Sequence, residues 1–245
     1  VGVMLNNIAL EHMHMGLYQM AEPLLEKSLV IHESYFGSEH KETARQIFNL
    51  AELYREQDLH EKAIQFHLRA LDIHEKVYGS KHPHPTTALY LNSLGNLYKE
   101  QGLYSQAKPL LIRALHIRQN VFGEDHVDTE ESLNSLASLY MSQGLYEQAE
   151  PLYLRALAIN KQIHGETHQL TAAALWELGN ISHELRDFKK AESWLMRELK
   201  ITELLEGADH KGVAISLNKL SEVYYDQELY SQSSLLVLRA IAIIE

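Results

Sequence analysis

The sequence predicts an all-α fold, a solenoid of six antiparallel helix pairs, and three observations predict it. The stretch Leu91–Gln119 (LNSLGNLYKEQGLYSQAKPLLIRALHIRQ) returns as Leu133–Lys161 (LNSLASLYMSQGLYEQAEPLYLRALAINK) with the same residue types at the same steps. Looser copies begin at Leu5, Ile47, Leu175 and Leu217. The turn aromatic, or its equivalent, falls at Tyr18, His60, Tyr104, Tyr146, Phe188 and Tyr230, in steps of 42, 44, 42, 42 and 42 residues, which is the mark of a repeat architecture. Inside each copy, apolar residues recur at three- and four-residue steps, as on an amphipathic helix. Residues 1–245 therefore form a single solenoid in which each repeat packs on its neighbours. The repeats span approximately 1–40, 41–82, 83–126, 127–168, 169–210 and 211–245.

The third repeat shows why each element forms. Leu91, Leu94, Leu97 and Tyr98 give a first helix over Thr87–Gln101 one apolar face. Gly102 can adopt the left-handed conformation that ends it and reverses the chain. A second helix follows from about Ser105 to Phe122, with Leu110, Leu111, Ala114, Leu115 and Ile117 facing inward. Gly95 and Ala107 are small where the two helices must approach closely, and Gly123 ends the second helix.

The other copies vary this scheme. Gly16 and Gly144 repeat the turn glycine, whereas Asp58, Arg186 and Glu228 replace it, which predicts weaker or differently shaped turns at a cost of roughly 1 kcal/mol each. Pro23, Pro109 and Pro151 are expected near the start of the second helix, where a lost amide donor costs least. Glu198 stands where other copies have Ala or Ser, which predicts a looser junction between the fifth and sixth repeats. Two extra residues around His82-Pro83-His84-Pro85 lengthen one inter-repeat loop.

Composition bounds the function. The chain carries a net charge of -11, 45% hydrophobic residues and 22% charged residues. That charge argues against nucleic acid or an anionic membrane as partner, since phosphate binding needs clustered Lys and Arg. There is no cysteine, which excludes disulfides and thiolate metal sites. No apolar run is long enough for a membrane-spanning helix. No Walker loop, dinucleotide fingerprint, His-Glu-x-x-His or nucleophile elbow is present. The expectation is a non-enzyme without cofactor, metal, nucleic-acid or membrane partner, and cytoplasmic. Because the chain starts and stops inside repeats, it is expected to be a piece of a longer protein, with self-association through uncapped end repeats.

Two repeated series and one tryptophan have structural readings. His40, His82, His126, His168 and His210 each follow a Gly by three residues. One per repeat is too far apart to share a metal ion, so capping or loop packing is expected. The column Lys27, Arg69, Arg113, Arg155, Arg197 and Arg239 reads as salt bridging between repeats. Trp194, on a second helix, reads as core.

The pattern Leu-Asn, Gln-Gly-x-Tyr, Ala-x-Pro-Leu, Arg-Ala-Leu and a Gly-x-x-His loop resembles the tetratricopeptide repeat, whose usual unit has 34 residues, in the 42-residue form of the kinesin light chain class. The resemblance implies a right-handed superhelix whose first helices line a concave groove that binds proteins or peptides. It maps one groove position onto Asn6, Phe48, Asn92, Asn134, Trp176 and Asn218. One turn later come Leu10, Glu52, Asn96, Ser138, Asn180 and Glu222. Residues at i and i+4 share a face, and an amide both donates and accepts, so the Asn series is expected to hold a peptide backbone. The alternative is that these amides bond across to neighbouring helices. Phe48 and Trp176 would select apolar side chains, and Arg55 and Lys99, with Arg45, would give a local basic spot. Acidic residues outnumber them on the same surface, so a mixed or basic, partly apolar peptide is expected. Rival readings are a self-associating structural scaffold and the sensor arm of a larger signalling protein.

Overall fold

Each copy folds as two antiparallel helices because its apolar stripe and its turn residue agree on where a helix starts and stops. In a computed structural model, which describes residues 1–79 and 84–245, the chain forms two compact units. The first, Val1–Glu124, contains α1 (Gly2–His14), α2 (Tyr18–Phe36), α3 (Lys41–Glu56), α4 (His60–Tyr78), α5 (Pro85–Glu100) and α6 (Tyr104–Phe122). The second, Asp125–Glu245, contains α7 (Val127–Ser142), α8 (Tyr146–His164), α9 (Gln169–Glu184), α10 (Phe188–Glu206), α11 (Lys211–Asp226) and α12 (Tyr230–Ile244). Ala21, Leu25, Leu50, Leu94 and Leu111 are among the buried residues of the first unit, and Leu133, Leu175, Leu195 and Leu217 of the second.

The first helices of the second to sixth copies begin at histidine caps, whereas α1 begins after Val1 with no side-chain cap. Nδ1 of His40, His84, His126, His168 and His210 accepts the backbone N–H two residues on, at 3.1–3.2 Å. That satisfies one of the amide donors a helix start leaves free. The capping expectation holds with one correction. His82 lies outside the described residues, and the cap of α5 is His84, shifted by the two-residue insertion.

All six turns within the pairs have one shape. The residue after the turn position donates its N–H five residues back, as from Leu103 to Tyr98 (2.8 Å), Leu59 to Tyr54 (2.9 Å) and Leu229 to Tyr224 (2.9 Å). Gly102 sits at φ 71°, and Asp58, Arg186 and Glu228 sit at 58°, 60° and 63°. The non-glycine turns are thus not reshaped, and their side chains stand in the left-handed region. Glu228→Gly should accordingly raise stability by about 1 kcal/mol, less a few tenths for the freer unfolded chain. Urea unfolding checks this, and an unchanged or lower midpoint would show that the turn is not strained there.

Pro23, Pro109 and Pro151 lie inside α2, α6 and α8, each as the sixth helical residue. They fall past the four free amides, so each removes one helical hydrogen bond, a correction to their expected place. The arginine column does bridge repeats: Arg69 pairs with Glu33 (2.7 Å), Arg113 with Glu75 (2.5 Å), Arg197 with Glu166 (3.5 Å) and Arg239 with Glu203 (2.5 Å). At the fifth-to-sixth junction, Glu198 is buried and accepts from Ser216 Oγ on α11 at 3.0 Å. The carboxylate therefore meets the sixth repeat through a hydrogen bond rather than leaving the junction loose.

Candidate functional site

The position mapped to a groove lies near the middle of each first helix, and its surroundings differ from repeat to repeat. Asn6 is 6% exposed, and its Oδ1 accepts from Asn49 Nδ2 at 2.6 Å on α3. This is the bond across to a neighbouring helix. Asn92 is 4% exposed. Asn134 is half-buried and donates to Glu130 Oε1 at 2.6 Å, which also accepts from Asn160 Nδ2 at 2.8 Å. Asn96 and Asn180 are half-buried, and Asn218 is exposed. The amides thus do not form a uniform open series.

The two aromatic positions behave alike. Phe48 on α3 stacks on Tyr90 of α5, with ring centroids 4.6 Å apart and planes at 18°, and meets His67 of α4 edge-on at 5.3 Å. It lines a cleft of about 430 Å³ with Arg45, His74, Tyr78, Leu89 and Tyr90. Trp176 on α9, half-buried against the core formed by Leu195, Leu220 and Val223, lines a cleft of about 300 Å³ with Glu198, Thr202, Glu206, Ile215 and Ser216. These clefts are the same place in two repeats. Phe48 corresponds to Trp176, Arg45 to Ala173, His74 to Thr202, Tyr78 to Glu206 and Tyr90 to Ser216. One aromatic residue marks each cleft where the other four copies carry Asn.

Their chemistry is opposite. The first cleft is walled by rings and has Lys41 and Arg45 at its rim, with Glu42 paired to Arg45 at 3.0 Å. Burial holds the Tyr90 phenol well above its ordinary range. The second cleft has two carboxylates and no Lys or Arg among the described residues lining it. Arg55 is less open than its place in the series implies, because Glu52 (3.1 Å) and Glu56 both hold its guanidinium. Lys99 is half-buried on the last turn of α5. Trp194 packs against the second unit's core, with the Arg197 guanidinium 5.4 Å from its ring centroid.

Tyr90 and Ser216 were missed by sequence reasoning, and Glu198 was read only as loosening the junction between repeats. They belong to two facing columns, Ser28, Ala70, Ala114, Ala156, Glu198 against Gln46, Tyr90, Ser132, Ala174, Ser216. Aligning those columns exposes Tyr90 and Glu198 as the outsized members. Among the described residues, no group of three or more His, Asp or Glu is placed to hold a metal ion, and no helix is long and apolar enough to cross a membrane.

Comparison with known proteins agrees with this architecture. One tetratricopeptide repeat model matches residues 1–76, 45–107, 128–203 and 170–245, and a second matches residues 87–128. Among solved structures, BtubC (BKLC) from P. vanneervenii is 21% identical over 89% of this chain and 86% of its own, with a TM-score of 0.75. A kinesin light chain-type protein of Podospora anserina with nearly identical TPR-like repeats is 22% identical over 82% of this chain and 95% of its own, at 0.70. A Rap protein complexed with competence and sporulation factor is 14% identical over 99% of this chain and 76% of its own, at 0.61. No curated protein sequence matches the chain. Six copies of one helix pair, matched by repeat models from one end to the other, mean that the chain belongs to the tetratricopeptide repeat family.

Proposed function

We propose that the chain is a protein-interaction module that captures a peptide segment of its partner on the first-helix faces, with Phe48 and Trp176 as anchors. Asn92, Asn96, Asn134, Asn180 and Asn218 are the polar positions beside them, and Arg55 and Lys99 adjust local charge. The observation that carries this reading is the pair of equivalent clefts, each marked by an aromatic residue in place of the amide. Half-buried aromatic rings in clefts are the usual energetic centres of interfaces. The Rap protein among the similar folds is a complex with a competence and sporulation factor, which fits such a role. A peptide-display selection on the chain beside Trp176→Ala tests it. Enriched peptides should bind the variant at least about tenfold more weakly, the usual effect of removing an aromatic anchor, at a temperature well below the variant's melting point, since the lost packing on Leu195, Leu220 and Val223 lowers stability as well. Equal enrichment by both proteins, or none by either, would overturn the reading.

A further inference from the structure

We propose that the cleft bounded by α9, α10 and α11 receives one arginine side chain of the captured segment, its guanidinium meeting the Glu198 carboxylate and its stem lying along Trp176. This rests on the peptide-binding reading and adds the chemical class of the residue selected.

The argument begins with a carboxylate the repeat does not require. At the Glu198 position the other copies have Ser28, Ala70, Ala114, Ala156 and Ala240, small residues that suffice for packing. Glu198 is 6% exposed, yet only half of its carboxylate is used. Oε1 accepts from Thr202 Oγ1 at 2.7 Å and from Ser216 Oγ at 3.0 Å, whereas Oε2 is buried without a hydrogen-bond partner. A buried acceptor left unmade is unfavourable, and more so when charged. Burial raises the Glu198 pKa, while the two hydroxyls pull it back down. A cationic donor entering the cleft would satisfy the free oxygen and hold the charged form.

The walls match a long cationic side chain. Trp176 offers a half-buried ring, and Ala172, Ala173 and Ile215 (58% exposed) offer apolar surface for methylenes. The second carboxylate, Glu206, is exposed beside the His210 imidazole, whereas Glu198 is the carboxylate with a buried oxygen left unpartnered. A planar guanidinium suits this better than an ammonium, because it stacks on an indole face and presents parallel N–H donors to a carboxylate. The equivalent cleft of the first unit has Ala70 in place of Glu198 and carries Arg45, so this preference is a property of the second cleft alone.

The test titrates arginine amide, lysine amide and neutral citrulline amide into the 245-residue chain, following the indole N–H resonances of Trp176 and Trp194. Arginine amide should shift Trp176 saturably and leave Trp194 unmoved, and citrulline amide should do neither. Glu198→Gln keeps an acceptor for Thr202 and Ser216 and should weaken arginine binding about tenfold, as expected for losing a charged partner. Citrulline or lysine binding as well as arginine, or an unaffected Glu198→Gln variant, would overturn the assignment. If Glu198→Gln does not fold, the citrulline comparison on the parent protein decides. Displayed peptides enriched without an arginine preference would sink this inference and leave peptide binding standing. Arginine amide binding with no peptide enriched would do the reverse.

Discussion

Acidifying the protein from pH 7 to pH 5 is expected to lower the stability of the unit Val1–Glu124 by about 2 kcal/mol for each of two buried imidazoles, His67 and His74. Burial, then the charge of Arg55, lowers the His67 pKa to about 4. Burial, then His84, lowers that of His74 to about 4. Glu52 Oε1 lies 3.4 Å from His67 Nε2, but that carboxylate is already paired with Arg55. In the unfolded chain both rings titrate near ~6.5. Between the two values the unfolded state holds more protons, so stability is whole above about pH 6.5 and falls as the pH drops toward 4. Glu198, in the second unit, has the opposite sign, because its raised carboxyl pKa gives a contribution present in acid and lost as the pH rises. His74 Nδ1 lies 3.0 Å from Thr87 Oγ1, so His74→Gln keeps a polar partner there while removing the titration. Urea unfolding at pH 7 and pH 5 should show the acid loss cut by roughly half in that variant. An undiminished loss would place its origin elsewhere. Because His67 and His74 pack against Phe48 and Tyr90, the same protonation would loosen the wall of the first cleft.

What could be read from the sequence, and what could not, divides along a physical line. Much of what depends on one residue's own backbone was legible, the three helix prolines excepted. Gly102 ends α5 at positive φ as expected, and the third pair runs within two residues of its predicted limits. Whatever depends on which residue faces it across a helix pair was not. Asn6 reads as a free amide until Asn49 is found beside it. Arg55 reads as an open cation until Glu52 and Glu56 close on it. The aromatic marks at Phe48 and Trp176 were visible as departures from the Asn series. Their clefts were not, since part of each wall comes from the following repeat. The cap of α5 was misplaced because a constant Gly-x-x-His spacing does not survive an insertion, whereas the requirement for an acceptor at the helix start does.

Leu111→Ala is expected to cost about 2–5 kcal/mol, the usual range for emptying a fully buried leucine site. Gly95→Ala in the same protein should then restore about 1 kcal/mol, by helix propensity and by refilling the space. The two positions form one contact between α5 and α6. Leu111 is fully buried, and a Cβ built on Gly95 would lie 2.7 Å from its Cδ2 and 2.8 Å from its Cγ. In the parent protein that alanine must displace a packed leucine or part the helices, so the propensity gain is opposed by overpacking of about 1–3 kcal/mol. The sign of the Gly95→Ala effect thus depends on residue 111, and a double-mutant cycle in urea should show coupling of at least about 1 kcal/mol. Simple additivity would mean that the glycine is not there to admit the leucine. Gly179 stands in the same relation to Leu195, with a Cβ–Cδ2 distance of 2.6 Å. This close contact sets how nearly α9 approaches α10. It therefore fixes how far Trp176, three residues before the glycine, stands above the Glu198 carboxylate, three residues after the leucine. A substitution at Gly179 should disturb the second cleft without touching any residue that lines it.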